Sequence, residues 1–111
     1  MTLQNDSYHP ILDRPWDYEL YTLSYFRPNP DDEPFIDILL KHNDAFKALR
    51  FLNPKDIEIH KGFPHQTHIC IFDVSNRGVA GFNVRVDSPT GENGAVRFWA
   101  REVITCGSFT R

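Results

Sequence analysis

Residues 35–52, FIDILLKHNDAFKALRFL, admit two regular structures, and the choice between them sets the fold class. Phe35, Leu39, His42, Phe46 and Leu49 recur at alternating four- and three-residue steps, the period of one helix face. Asp32 as N-cap, Pro34 in the first turn and Asn53-Pro54 as a stop suit that helix. Read instead as a hairpin, Ile36, Ile38 and Leu40 alternate along one strand, while Leu49 and Phe51 share a face of the other. His42-Asn43-Asp44 then makes the turn, because Asn and Asp tolerate turn geometry. The hairpin is favoured, since the chain on either side of it is stranded.

Upstream, DYELYTLSYF from Asp17 to Phe26 is dense in Tyr, Leu and Phe and reads as a strand. Pro28, Pro30 and Pro34 bracket Asp31-Asp32-Glu33, so that segment reads as a solvated acidic loop. Residues 1–16 are polar and aperiodic. They read as a loosely ordered arm pinned by Trp16, ahead of a single β-rich domain over 17–111.

Downstream, Asp56-Ile57-Glu58-Ile59-His60 alternates as a half-buried strand does, and Lys61-Gly62-Phe63-Pro64 is a turn. Thr67 to Val74 is apolar on both faces and predicts a central, doubly covered strand. Ser75 to Gly78 turns the chain. Phe82, Val84 and Val86 then alternate with Asn83, Arg85 and Asp87. SPTGENG, residues 88–94, is a hairpin loop, and residues 95–104 return as one strand with Val96, Phe98 and Ala100 on one face. About seven strands with short polar turns predict an all-β, mainly antiparallel domain, a small sandwich or partly open barrel. The alternative is an α+β fold with one helix near 33–52.

The 111 residues suit one domain, and a hydrophobic share of 41% with nine Phe, four Tyr and two Trp supplies a core. Fifteen acids against twelve bases give a net charge of −3, which argues against a dedicated nucleic-acid partner. No segment has the roughly 20 apolar residues of a membrane span, and residues 1–7 lack the pattern of a secretory signal. A cytoplasmic location is expected, with Cys70 and Cys106 as reduced, buried thiols.

Two clusters bear on chemistry. His60, His65, His68 and Cys70 are metal-compatible residue types, but their spacing matches no standard zinc module. They define an alternative, a metal-dependent enzyme. The segment beginning Lys61-Gly62-Phe63-Pro64 reads more simply as an exposed turn leading into core, and no cofactor is expected. Nucleophile-elbow, phosphate-loop and dinucleotide patterns are absent from the sequence.

The second cluster follows from the last hairpin. If Val96, Phe98 and Ala100 face the core, period two puts Arg97, Trp99 and Arg101 on the opposite face, beside Asn83, Arg85 and Asp87 of the partner strand. Trp and Arg are enriched at binding hot spots. The order of LRFLNPKDIEI, ICIFDV, FNVRV and AVRFWAREV resembles small all-β proteins of bacteria, toxin-neutralising immunity proteins among them, without matching one family. The lack of catalytic motifs, the small β-rich size and this stripe make the expected function a non-enzymatic module binding a protein partner, an immunity-type inhibitor being one such module, through Arg85, Arg97, Trp99 and Arg101. The alternative use of that face is binding a small ligand or nucleic acid.

Overall fold

The computed structural model describes residues 7–59, 68–79, 81–88 and 96–110, with the side chains of 108–110 left aside. Nine strands are present among them: β1 (Ser7–Tyr8), β2 (Glu19–Phe26), β3 (Phe35–His42), β4 (Ala45–Leu52), β5 (Lys55–Ile59), β6 (Cys70–Asp73), β7 (Val84–Asp87), β8 (Val96–Ala100) and β9 (Glu102–Thr110). The first sheet has the order β1-β6-β7-β8-β5 and the second β2-β3-β4-β9, all pairs antiparallel. The two pack as a sandwich, not as a closed barrel.

Residues 35–52 form the hairpin, not the helix. Ile36 lies opposite Phe51 and Ile38 opposite Leu49, and all four are buried. Asn43 turns the chain at φ 56°, a left-handed conformation that Asn tolerates. Asn53, at φ 51°, redirects the chain after β4 where the helical reading placed a stop. Against these strands pack Ile69, Ile71, Val84, Val86, Phe98 and Ala100 from the first sheet, giving one shared core.

The last strand departs from the expectation. Residues 95–104 are not one strand: the chain bends at Arg101, leaving β8 in the first sheet and starting β9 in the second. Backbone hydrogen bonds fix the crossing, Asn83 N to Ala100 O at 3.1 Å and Arg101 N to Leu52 O at 2.8 Å. The pairing of β7 with β8 is the one the hairpin pattern implies, with Arg85 opposite Trp99 and Val86 opposite Phe98. Its connection at 89–95 lies outside the described residues.

Two burial expectations are corrected. Ile57 and Ile59 are 39% and 56% exposed, because β5 is an edge strand whose register slips between Lys55 and Glu58, with Asp56 at φ 52°. Cys106 is exposed, not buried: it is the extra residue of a bulge in edge strand β9, between the pairs Leu49–Thr105 and Ala48–Gly107.

β6 is covered on both faces, as its apolar run implies. Ile69 and Ile71 enter the core. On the outer side Tyr8 stacks on Phe72 at 5.3 Å and meets Trp16 at 4.8 Å. Ile11 and Leu12 pack against the core, and His9 N donates to Ile71 O at 2.8 Å. Residues 7–16 thus close one end of the first sheet.

Candidate functional site

Strand register builds the outer face of the first sheet in two rows. One row runs Tyr8, Phe72, Arg85, Trp99 and Lys55, each opposite the next across a strand pair. The other holds Cys70 opposite Asp87, and Arg97 opposite Glu58. From Phe72 onward rings alternate with cations in one row, and from Asp87 onward acids and bases share the other.

Asp87 organises both rows. Its carboxylate accepts a hydrogen bond from Arg85 Nη2 and one from the backbone N–H of Ser88 at 2.7 Å. Arg97 Nε lies 2.8 Å from Asp87 Oδ1 as an ion-pair contact without hydrogen-bond alignment. Asp87 is buried while both guanidinium groups are half-buried, so one carboxylate holds two arginines flat against the sheet.

Trp99 is half-buried and anchors the first row. The guanidinium carbon of Arg85 lies 5.5 Å from its ring centroid and that of Arg77 5.3 Å, both within cation–π range. Phe82 meets the indole edge to face at 6.0 Å. Gly78, at φ 70°, caps the 3₁₀ turn Ser75–Arg77, delivering Arg77 on one side and Val79 on the other. Asp56, Arg77, Val79, Phe82 and Trp99 line a cleft of about 250 Å³. Of these five, only Trp99 was singled out by sequence. Arg77 and Val79 come from a turn and its flank, which carry no periodic signal, and Phe82, expected on the face of Val84 and Val86, instead precedes β7 and meets Trp99 outside the core.

Arg101 does not join this face. At the bend between sheets it donates from Nε and Nη2 to the two carboxylate oxygens of Glu33, at 2.9 and 2.8 Å. That pairing holds the Glu33 carboxyl below its ordinary range, and Glu33 is thereby an anchor of the acidic loop rather than only a solvated charge. Arg101 also borders a second cleft, of about 310 Å³, with His9, Asp73, Ser75 and Asn83.

The histidine–cysteine cluster is only partly described, because His60 and His65 lie outside the described residues. His68 Nδ1–H donates to the Tyr18 carbonyl at 2.8 Å, tying the approach to β6 to the start of β2. Cys70 is buried, and burial followed by the nearby Asp87 charge pushes its thiol pKa up, which favours the protonated form. Among the described residues no three His, Cys, Asp or Glu side chains are grouped to hold a metal ion.

The chain matches no family model, no curated protein and no solved structure.

Proposed function

We propose that this protein is a non-enzymatic binding module whose first sheet recognises a protein partner, with Trp99 as the anchor. The observation that carries this reading is the Trp99 cleft. A half-buried indole, framed by Phe82 and two guanidinium groups, stands open toward a hollow of about 250 Å³. Trp and Arg in a central, prearranged cluster are the usual composition of a hot spot. Arg85 enters it already fixed by Asp87, so little side-chain entropy is lost on binding.

Size favours an inserted side chain over a free ligand. Small-molecule sites usually enclose about 300–1,000 Å³, above the volume of this cleft. Charge disfavours nucleic acid, because Arg85 and Arg97 share Asp87, and Arg101 is held by Glu33 away from the face. Two free thiols, Cys70 and Cys106, suit a reducing cytoplasmic setting, and no helix among the described residues is long and apolar enough to cross a membrane.

The test is capture of binding proteins from native cells by the wild-type chain and by Trp99→Ala in parallel. A protein retained by the former and lost by the latter, with folding of the variant intact, supports the proposal. Equal retention by both chains refutes it.

A further inference from the structure

The cleft beside the bend at Arg101 is built from four separate stretches of chain. His9 comes from the arm, and Asp73 and Ser75 from the end of β6 and the turn after it. Asn83 comes from the approach to β7, and Arg101 and Glu102 from the crossing between the sheets. Its volume of about 310 Å³ reaches the range in which small molecules are held, which the Trp99 cleft does not. Its walls are mainly polar, whereas those of the Trp99 cleft are mainly apolar.

We infer that this cleft binds a small organic cation, a primary ammonium or guanidinium group, between the carboxylates of Asp73 and Glu102. Charge chooses that ligand. Arg101 is matched by Glu33, which accepts two of its N–H groups at 2.9 and 2.8 Å. Among the described residues no lysine or arginine pairs with Asp73, and the one ion-pair contact of Glu102 is to the already matched Arg101, at 3.6 Å. Three carboxylates therefore surround a single guanidinium, and a recess with an excess of one sign concentrates its counter-ion.

The charges of Asp73 and Glu102 both act on His9, so they face one space. His9 does not supply the cation itself. Its Nδ1 accepts from the Ile11 N–H at 3.0 Å and burial lowers its pKa, so near neutral pH the ring is uncharged with its proton on Nε2. Asp73 is fixed in advance. Its Oδ1 accepts from the Ser75 N–H at 3.0 Å and from Ser75 Oγ at 2.6 Å, which leaves Oδ2 for a ligand. His9, Asp73 and Glu102 are not grouped to hold a metal ion, so the cation that spans them is larger. An ammonium or guanidinium group brings several N–H donors, enough to serve each carboxylate separately. Asn83 offers its amide to the rest of the ligand.

NMR titration of the isotope-labelled chain at neutral pH tests the inference with two probes. Agmatine is a free cation, and acetyl-Gly-Arg-Gly-amide presents the same group as a protein side chain does. The amide signals of His9, Asp73, Asn83 and Glu102 shift saturably, with a Kd between about 0.1 and 10 mM, and the tighter probe shows which source the cleft prefers. Asp73→Asn keeps Ser75 in place, since an amide oxygen accepts the same bonds, and Glu102→Gln alters a largely exposed side chain, so both variants fold. Each weakens binding about tenfold, the loss of one hydrogen-bonded charge. Asp44→Asn, at the exposed turn between β3 and β4, leaves it unchanged. Shifts that do not saturate below about 20 mM with either probe overturn the inference. So does affinity retained in both cleft variants, or weakened as much in Asp44→Asn.

Discussion

The rings of Phe51 and Phe98 meet edge to face across the two sheets, with centroids 5.1 Å apart and planes at 86°. Both residues are fully buried, so this contact joins the hairpin of the second sheet to the central strand pair of the first. Phe98→Ala is expected to cost about 3–5 kcal/mol, the transfer and cavity terms of a deleted buried ring. Phe98→Leu, which leaves a smaller cavity, costs less. Urea midpoints at unchanged slope check both values.

Asp87 carries a different kind of load. Asp87→Ala leaves two half-buried guanidinium groups without their carboxylate, at an expected cost of about 1–3 kcal/mol after allowing for their partial exposure. Arg85→Ala on top of Asp87→Ala then costs less than it does alone, because its partner is already gone. A double-mutant cycle in urea that came out strictly additive would show that the pair contributes nothing.

His9 makes docking of residues 7–16 pH-dependent. Its Nδ1 accepts a hydrogen bond from the Ile11 N–H at 3.0 Å, which only the unprotonated nitrogen can do. Burial depresses its pKa despite the opposing charges of Asp73 and Glu102. The unfolded chain therefore takes up this proton first, at an ordinary pKa of about 6.5. Stability is full above that value and falls as the pH drops toward the lower folded pKa. The carboxylates Glu33 and Asp73, also depressed by their hydrogen bonds, add losses only at more acidic pH. The midpoint of wild type should decline just below pH 6.5, and His9→Gln should flatten that first decline while leaving the acidic one.

The sequence made the core strands legible because one face of each had to be apolar. Ile36, Ile38, Leu49 and Phe51 alternate, and so do Val84, Val86, Val96, Phe98 and Ala100. The helical stripe drawn through Phe35, Leu39 and Phe46 had a physical cause as well. Those residues line the outer face of the second sheet, and their apolar character made the segment ambiguous. Alternation also brought Arg85, Arg97 and Trp99 together correctly. It failed at Arg101, since a one-residue bend between sheets is set by the long-range backbone hydrogen bond to the Leu52 carbonyl and leaves the local pattern intact. It failed at Ile57, Ile59 and Cys106 for a related reason: edge position and bulges belong to the sheet, and no local run of residues encodes them. Arg77 and Val79 reach the cleft through a turn, where period two has no meaning, and Phe82 leaves the alternation of Val84 and Val86 because the strand begins only at Val84.

Trp99 is half-buried, whereas Phe98 is fully so, and the two neighbours separate binding from packing. The most direct measurement is the affinity of the captured partner for wild type and for Trp99→Ala, taken together with the urea midpoint of each chain. Binding is expected to weaken by about 2 kcal/mol or more, some 30-fold, as for a central aromatic anchor. The midpoint loss of Trp99→Ala should be clearly smaller than that of Phe98→Ala. Unchanged affinity in a folded Trp99→Ala chain, or a midpoint loss as large as that of Phe98→Ala, contradicts the account.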